Sequence, residues 1–129
     1  MDAPSLRIEV NDHGQVTMVK PIGYLTSAGH AVLEEQLDVL FAHGHHLLVV
    51  DLGAAEYLSS TVLGVFLFYK KKLEDCGGCL ILAACDESLL RAIQASGLRN
   101  ALDIRPTREE ALKLAKEKVG SGKWEALTV

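Results

Sequence analysis

Three consecutive hydroxyl residues, Ser59, Ser60 and Thr61, are the side chains of this sequence best placed for chemistry. They follow a buried apolar run (residues 49–52) and a short loop, and an apolar segment with helical spacing begins at them. Free backbone N–H groups and the helix dipole make the start of a helix favourable for an anion, including a phosphate. The simpler role is capping, because serine and threonine oxygens accept bonds from those same N–H groups.

A second group of reactive side chains lies elsewhere. Cys76-Gly77-Gly78-Cys79 is a CxxC motif, but it closes a predicted helix, where the dipole has the wrong sign to activate a thiol. His43-Gly44-His45-His46 also precedes a buried strand. If the two strands are parallel neighbours, both clusters lie at one sheet end, opposite Ser60, and approach zinc geometry. We expect solvated histidines and partly buried thiols, with no metal ligand and no cofactor; a metal or redox module is the alternative.

The elements that must position these residues alternate along the chain. Residues 6–10 and 16–22 predict a hairpin of two strands, with Pro21 marking an edge or a bulge. Helices are predicted from Thr26 or Ser27 to His43, over residues 60–75 and 87–96, and after the capping box of Thr107 and Glu110. Strands are predicted over residues 47–52, 80–84 and 102–104. This order predicts an α/β fold, with parallel strands and helices packed on the sheet.

Composition excludes several classes of function. The chain has 129 residues, 49% of them hydrophobic and 23% charged, with a net charge of −4, so we expect no nucleic-acid partner. The apolar runs are too short for a span of roughly 20 residues, so we expect no membrane insertion. The N-terminus lacks a signal-peptide pattern, and three cysteines are an odd number, which favours a reducing cytoplasm. We expect one domain over residues 1–122 and a flexible tail over residues 123–129.

The segment over residues 49–64 resembles the signature of the STAS family, in which a strand and a loop lead to Asp-Ser-Ser/Thr-Gly-Leu-Gly. Aligned on Leu63-Gly64, Ser60 falls on the serine that family members present to a partner kinase, and Thr61 falls on the second hydroxyl. Further fragments resemble the family in the expected order: Gly23-Tyr24-Leu25-Thr26, Tyr69-Lys70, Gly77-Gly78, Ser96-Gly97-Leu98 and Glu109-Glu110-Ala111-Leu112.

This resemblance implies a STAS fold, with a mixed, mostly parallel sheet of about five strands and about four helices. It implies a bacterial, cytoplasmic anti-sigma-factor antagonist that binds an anti-sigma factor, itself often a serine kinase, and exchanges partners on phosphorylation at Ser60 or Thr61. The partner-binding residues would be Thr26, Ser59, Ser60, Thr61, Val62 and Leu63. The alternative within the family is an accessory subunit of a transport system, or a small-ligand module, without phosphoregulation.

Three residues depart from the family pattern. Ser59 and Thr26 stand where the family has aspartates, and Val62 stands where it has glycine. Either a different kinase recognises Ser60 or Thr61, or the domain binds its partner without phosphoregulation.

The second predicted helix is apolar on nearly every side. It either packs on both faces or leaves a partner or self-association surface beside Ser60, so a homodimer is possible. Lys70, Lys71 and Lys72 are expected to form its solvated face. The sequence shows no paired carboxylates and no nucleophile–histidine arrangement, so we expect a binding protein and not an enzyme.

Overall fold

Residues 6–119, the part of the chain that the computed structural model describes, form one six-stranded sheet with four α-helices packed on it. The strands are β1 (Leu6–His13), β2 (Val16–Leu25), β3 (Leu47–Asp51), β4 (Ala55–Leu58), β5 (Cys79–Ala83) and β6 (Asp103–Arg105). The helices are α1 (His30–Ala42), α2 (Ser60–Glu74), α3 (Glu87–Ala95) and α4 (Arg108–Val119), with a 3-10 turn at Arg99–Ala101. The α/β fold class is confirmed, with six strands where about five were predicted. The tail predicted over residues 123–129 lies outside the described residues.

The sheet is mixed, with its strands in the order β1-β2-β3-β5-β6. The first two strands form the predicted antiparallel hairpin, and β2, β3, β5 and β6 run parallel. One side of β2 is shared between two partners, because Thr17–Val19 pairs with β3 and Gly23–Leu25 pairs with β4. The carboxyl end of β2 therefore lies beside β4, the strand that leads into α2.

Of the two alternatives predicted for Pro21, an edge or a bulge, the edge does not apply, because β2 as a whole has neighbours on both sides. Pro21 lies between Val19, the last residue paired with β3, and Gly23, the first paired with β4. Its missing N–H therefore costs no ladder bond on that side. An irregularity does follow, since the register with β4 shifts between Gly23 and Tyr24.

The core has two layers, one on each face of the sheet. Every residue of β3 and β5 is buried, as expected for parallel strands covered on both faces. Alternate residues such as Leu48 and Val50 point to the larger layer beneath α1, α2 and α3. Leu47 and Val49 point to the smaller layer beneath α4. The side chains of both layers are mainly leucine, valine and isoleucine, as the low aromatic content of 5% requires.

The structure confirms the predicted start of α4 but not that of α1. Thr107 caps α4, because its Oγ1 accepts a bond of 3.1 Å from Glu110 N. The start predicted for α1 is wrong: the helix begins at His30, with Gly29 at the N-cap position and no side-chain cap bond. Thr26 instead closes a turn, since its Oγ1 accepts a bond of 3.1 Å from Gly29 N. Because residues 26–29 form this turn, α1 begins at His30 and not directly after Thr26 or Ser27.

Candidate functional site

The parallel pairing of β2 and β4 brings the candidate residues together. Leu25 at the end of β2 pairs with Leu58 at the end of β4. The next residues of the two strands, Thr26 and Ser59, therefore emerge side by side. A backbone bond of 2.9 Å from Ser59 N to Leu25 O fixes this junction. The turn before α1 and the start of α2 are thus held together, although they are more than thirty residues apart in the sequence.

Ser59 has a structural role in this arrangement. It is the N-cap of α2, and its Oγ accepts a bond of 3.1 Å from Val62 N. Its side chain is buried, with 5% of the residue exposed. The residue that replaces the family's aspartate therefore caps the helix, and its hydroxyl is closed to a partner or a kinase.

Ser60 and Thr61 are the exposed members of the hydroxyl run. Thr61 Oγ1 lies 3.4 Å from Ser27 Oγ, a long hydrogen bond that joins the start of α2 to the turn before α1. The Ser60 hydroxyl has no hydrogen-bond partner among residues 6–119. Ser60 is thus the hydroxyl most accessible to a modifying enzyme, and Thr61 is the second.

Two of the residues predicted to contact a partner are buried. Val62 is 0% exposed and Leu63 is 1% exposed, and both pack in the larger core layer. These two side chains are therefore not part of the exposed surface of α2. The branched Val62 side chain belongs to this core layer, at the position where the STAS signature has glycine.

The exposed side of α2 continues from the site as one stripe, which we call the α2 face: Ser60, Thr61, Gly64, Phe68 and Lys71. These residues share one side of the helix at 3.6 residues per turn, and all five are exposed. Phe68 is 59% exposed, the largest fraction among the exposed large hydrophobic residues that the structure describes. A Cβ at Gly64 would meet no atom within 4 Å, so this part of the face is open. The helix is therefore buried on one side and exposes a partly apolar stripe on the other.

Two side-chain contacts join α2 to α1. Tyr69 is 2% exposed, and its hydroxyl donates a hydrogen bond to Asp38 Oδ1 on α1. Burial raises the pKa of Tyr69 well above its usual value, and the hydrogen bond to Asp38 is the next largest cause of this rise. The phenol therefore stays protonated and remains a donor across the physiological pH range. Lys72 Nζ, 4.4 Å from the centre of the Phe41 ring, adds a cation–π contact between the same helices.

The first turn of α2 has no acidic residue, and Lys71 and Lys72 lie in its last turn. Asp51, at the end of β3, is 4% exposed and is already engaged. Its Oδ1 accepts a bond of 2.9 Å from Gly53 N, and its Oδ2 lies 3.8 Å from Arg108 Nη1. The positive end of the α2 dipole is thus left without a carboxylate of its own first turn.

The cysteine and histidine segments lie together, as the parallel strands predict. Leu47 in β3 pairs with Cys79 in β5, and Cys79 N donates a bond of 2.9 Å to His46 O. Burial raises the pKa of the Cys79 thiol to about 11, and His45 Nδ1 lies 2.8 Å from Thr17 Oγ1. Within residues 6–119, no group of three or more histidine, cysteine or acidic residues could hold a metal ion.

The glycines of the CxxC motif have a structural explanation. Gly77 has a positive φ of 81° and follows the end of α2, a conformation that favours glycine. Gly78 lies against the backbone of His46, so closely that a Cβ would collide with the His46 carbonyl. The motif ends a helix and starts a strand in tight contact with its neighbour.

Comparison with known proteins agrees with this architecture. Residues 7–111 match the family model of the STAS domain, and the chain belongs to this family. The anti-sigma-B factor antagonist of Bacillus subtilis is 30% identical over 105 residues, which cover 81% of this chain and 95% of the relative. The resemblance inferred from the sequence is therefore confirmed.

Solved structures show the same fold. An anti-sigma factor antagonist from Mycobacterium paratuberculosis matches with a TM-score of 0.80 at 28% identity, over 90% of this chain and 99% of that chain. The Bacillus cell fate determinant SpoIIAA in its phosphorylated form matches with a TM-score of 0.62 at 18% identity, over 84% and 97%. The second likeness shows the fold alone. Within residues 6–119, no helix is long and apolar enough to span a membrane.

The sequence did not point to Ser27 or Gly64 as parts of the surface. Ser27 was predicted only as a possible helix cap, yet its Oγ lies 3.4 Å from Thr61 Oγ1. The spacing of four residues from Ser60 to Gly64 and from Gly64 to Phe68 was the available signal for the α2 face, since such residues share one side of a helix.

Proposed function

We propose that this chain is an anti-sigma-factor antagonist that binds an anti-sigma factor, itself a serine kinase, through the α2 face in the cytoplasm of a bacterium. The observation that carries the proposal is the exposed Ser60 hydroxyl at the start of α2. The alignment on Leu63-Gly64 supports it, because it matches Ser60 with the serine of the STAS signature. The anti-sigma-B factor antagonist of Bacillus subtilis supports the partner class. The role is one of binding, and no catalytic step by this chain is part of it.

Phosphorylation of Ser60 would act as an electrostatic and steric switch. A phosphate adds about −1.5 to −2 charges and three acceptor oxygens at the centre of the contact surface. The free N–H groups and dipole of α2 would stabilise it on this chain, and the absence of an acid in the first turn removes a source of repulsion. A partner fitted to the neutral face would then meet an added dianion. About 1.4 kcal/mol suffices for a tenfold change of affinity.

The structure favours Ser60 over Thr61 as the modified residue. Thr61 shares a hydrogen bond with Ser27, and Ser59 is a buried cap. Ser60 has neither the hydrogen bond of Thr61 nor the burial of Ser59, and it is the first residue of the α2 face. Direct partner contacts are therefore assigned to Ser60, Thr61 and the half-buried Thr26, together with Gly64 and Phe68, whereas Ser59, Val62 and Leu63 support the site from below.

The proposal is tested by affinity capture from the native cells with quantitative mass spectrometry. The wild-type chain is compared with Ser60→Asp and with the neutral isostere Ser60→Asn. Ser88→Asp is the matched control, because Ser88 is also an exposed serine in the first turn of a helix. We expect wild type, Ser60→Asn and Ser88→Asp to retain an anti-sigma factor that Ser60→Asp loses.

Two outcomes would contradict the proposal. One is the same set of partners for all four proteins, which would remove the switch at Ser60. The other is capture of membrane-transport components in place of an anti-sigma factor, which would support the alternative of a transport accessory domain. Phosphopeptide analysis of the native protein adds an independent check, since modification is expected at Ser60.

A further inference from the structure

Strand β1 leaves one edge of the sheet without a neighbour in the described part of the chain. All eight of its residues pair with β2, and it stands first in the strand order. Its outer edge therefore presents unpaired backbone N–H and C=O groups, which are a template for pairing with another strand. The opposite end of the sheet has a much shorter strand, β6, with three residues.

The β1–β2 register shows which residues of β1 direct their backbone groups outwards. In an antiparallel pair, hydrogen-bonded and non-hydrogen-bonded residue pairs alternate. The two-residue turn at residues 14–15 closes on His13 and Val16, which form a hydrogen-bonded pair in such a hairpin. Counting back, Ile8 and Pro21 form a non-hydrogen-bonded pair, which suits a proline without an N–H. The even-numbered residues of β1 therefore direct their N–H and C=O groups to the free edge.

The side chains of β1 distinguish between the ways in which two copies could pair. A two-fold axis matches outward-bonding residues with each other, so the axis must pass through one residue. An axis through Arg7 or Glu9 places identical charges opposite each other. An axis through Val10 places Ile8 opposite Asp12 of the second copy. An axis through Ile8 places Arg7 opposite Glu9 of the second copy, twice, and Leu6 opposite Val10. This register alone combines charge complementarity with matched apolar pairs.

The adjoining flank of α1 is apolar and exposed as well. At 3.6 residues per turn, Val32 and Val39 share the flank away from Asp38 and Phe41, the residues that contact α2. Val32 is 49% and Val39 is 45% exposed. Val10, on the same sheet face as α1, is 37% exposed. A two-fold axis perpendicular to the sheet would bring the α1 helices of both copies to the same face of one continuous sheet, with these flanks turned to the seam.

We propose that this chain forms a homodimer in which the β1 strands of two copies pair antiparallel about a two-fold axis at Ile8. Charges on a free edge commonly prevent such pairing. Here Arg7 and Glu9 carry opposite charges and lie on either side of the axis at Ile8. These side chains would repel their copies in the registers centred on Arg7 or Glu9, but they attract each other in this register. Arg7 and Glu9, now 3.4 Å apart within one chain, exchange partners across the seam. The α2 face lies beyond β2, next to β4, and remains open in the dimer.

Sedimentation equilibrium of the full chain over a concentration series tests the proposal. The expected mass is twice the 14.0 kDa of one chain. Arg7→Glu places a glutamate opposite Glu9 at two positions in each dimer and is expected to raise the dimer dissociation constant about tenfold or more. The exchanged double variant Arg7→Glu/Glu9→Arg restores the complementary pairs and is expected to dimerise like wild type.

Proline variants test the backbone pairing separately from the charges. Val10→Pro removes an outward N–H and leaves the bonds to β2 in place, so it is expected to give a folded monomer. Asp12→Pro is the matched control, because it lies on the same edge but opposite no described residue of the second copy's β1, and it is expected to remain dimeric. A wild-type monomer at every concentration, or a dimer unaffected by both Arg7→Glu and Val10→Pro, overturns the proposal. Ser60→Asp is expected to leave the mass of the dimer unchanged. Failure of the dimer proposal is therefore distinct from failure of the proposed partner switch at Ser60.

Discussion

At the scale of single residues, burial separates the hydroxyl group that caps helix α2 from those that are exposed beside it. Ser59 and Ser60 are adjacent and chemically identical, yet one is a buried cap and the other is exposed without a hydrogen-bond partner among the described residues. The sequence placed both at the helix start, but could not decide between them, because the side that a residue faces depends on where the helix begins to pack. Val62 and Leu63 illustrate the same point, since their buried positions follow from the orientation of α2.

The two serines should differ in their effect on stability. Ser59→Ala removes the cap bond to Val62 N and is expected to lower the free energy of unfolding by about 1 kcal/mol. Ser60→Ala, at an exposed position, is expected to change it by less than about 0.5 kcal/mol. Urea unfolding followed by circular dichroism measures both. Equal losses in the two variants would contradict the assigned roles.

The buried Cys79 thiol predicts a dependence of stability on pH. Burial raises its pKa from the ordinary value of 9.0 to about 11. The unfolded chain therefore releases the thiol proton at a lower pH than the folded chain, so stability present below pH 9.0 is lost as the pH rises towards 11. This thiol is expected to contribute a loss of up to about 2–3 kcal/mol.

The Cys79 prediction is checked by urea unfolding at a series of alkaline pH values. Cys79→Ala is expected to show a shallower loss of stability over this range than wild type, since it has no thiol to ionise. Parallel pH curves for the two proteins would show that the thiol is not protected by burial.

At the scale of elements, strong local signals were predictive and weak ones were not. The apolar runs of β3 and β5 and the cap of α4 were predicted within a residue or two, because burial on both faces and capping leave local patterns. The four residues of β4 carry too little pattern, and the strand exists because its backbone pairs with the end of β2. The start of α1 was misplaced because Thr26 closes a turn with Gly29, an alternative use of the same side chain.

The exposed aromatic residue of the α2 face should matter for binding and little for folding. Phe68 is 59% exposed, so Phe68→Ala is expected to change the free energy of unfolding by less than about 0.5 kcal/mol. If the face binds a partner, the same change should weaken the complex by about 1 kcal/mol or more. Val39→Ala, on the far flank of α1, is the matched control and should leave this affinity unchanged. Equal affinities for wild type and Phe68→Ala would remove Phe68 from the interface.

At the scale of the whole molecule, β2 lies between the two surfaces to which we assign different roles. On one side of it, β4 leads to Ser60 and the α2 face; on the other, β1 offers a free edge with complementary charges. The STAS assignment, confirmed over residues 7–111, could be made from the sequence because its fragments occur in a fixed order. The free edge at β1 could not be predicted from the sequence, because the order of the strands in the sheet decides which strand is at the edge. A dimer formed through β1 would present two α2 faces to partners.

We propose that the α2 face binds an anti-sigma factor and that a phosphate on Ser60 reverses this binding. The most direct measurement is the affinity of the captured anti-sigma factor for the chain before and after stoichiometric phosphorylation at Ser60, by isothermal titration calorimetry. We expect tight binding of the unmodified chain and a dissociation constant at least about tenfold higher for the phosphorylated chain. Equal affinities for the two forms would contradict it.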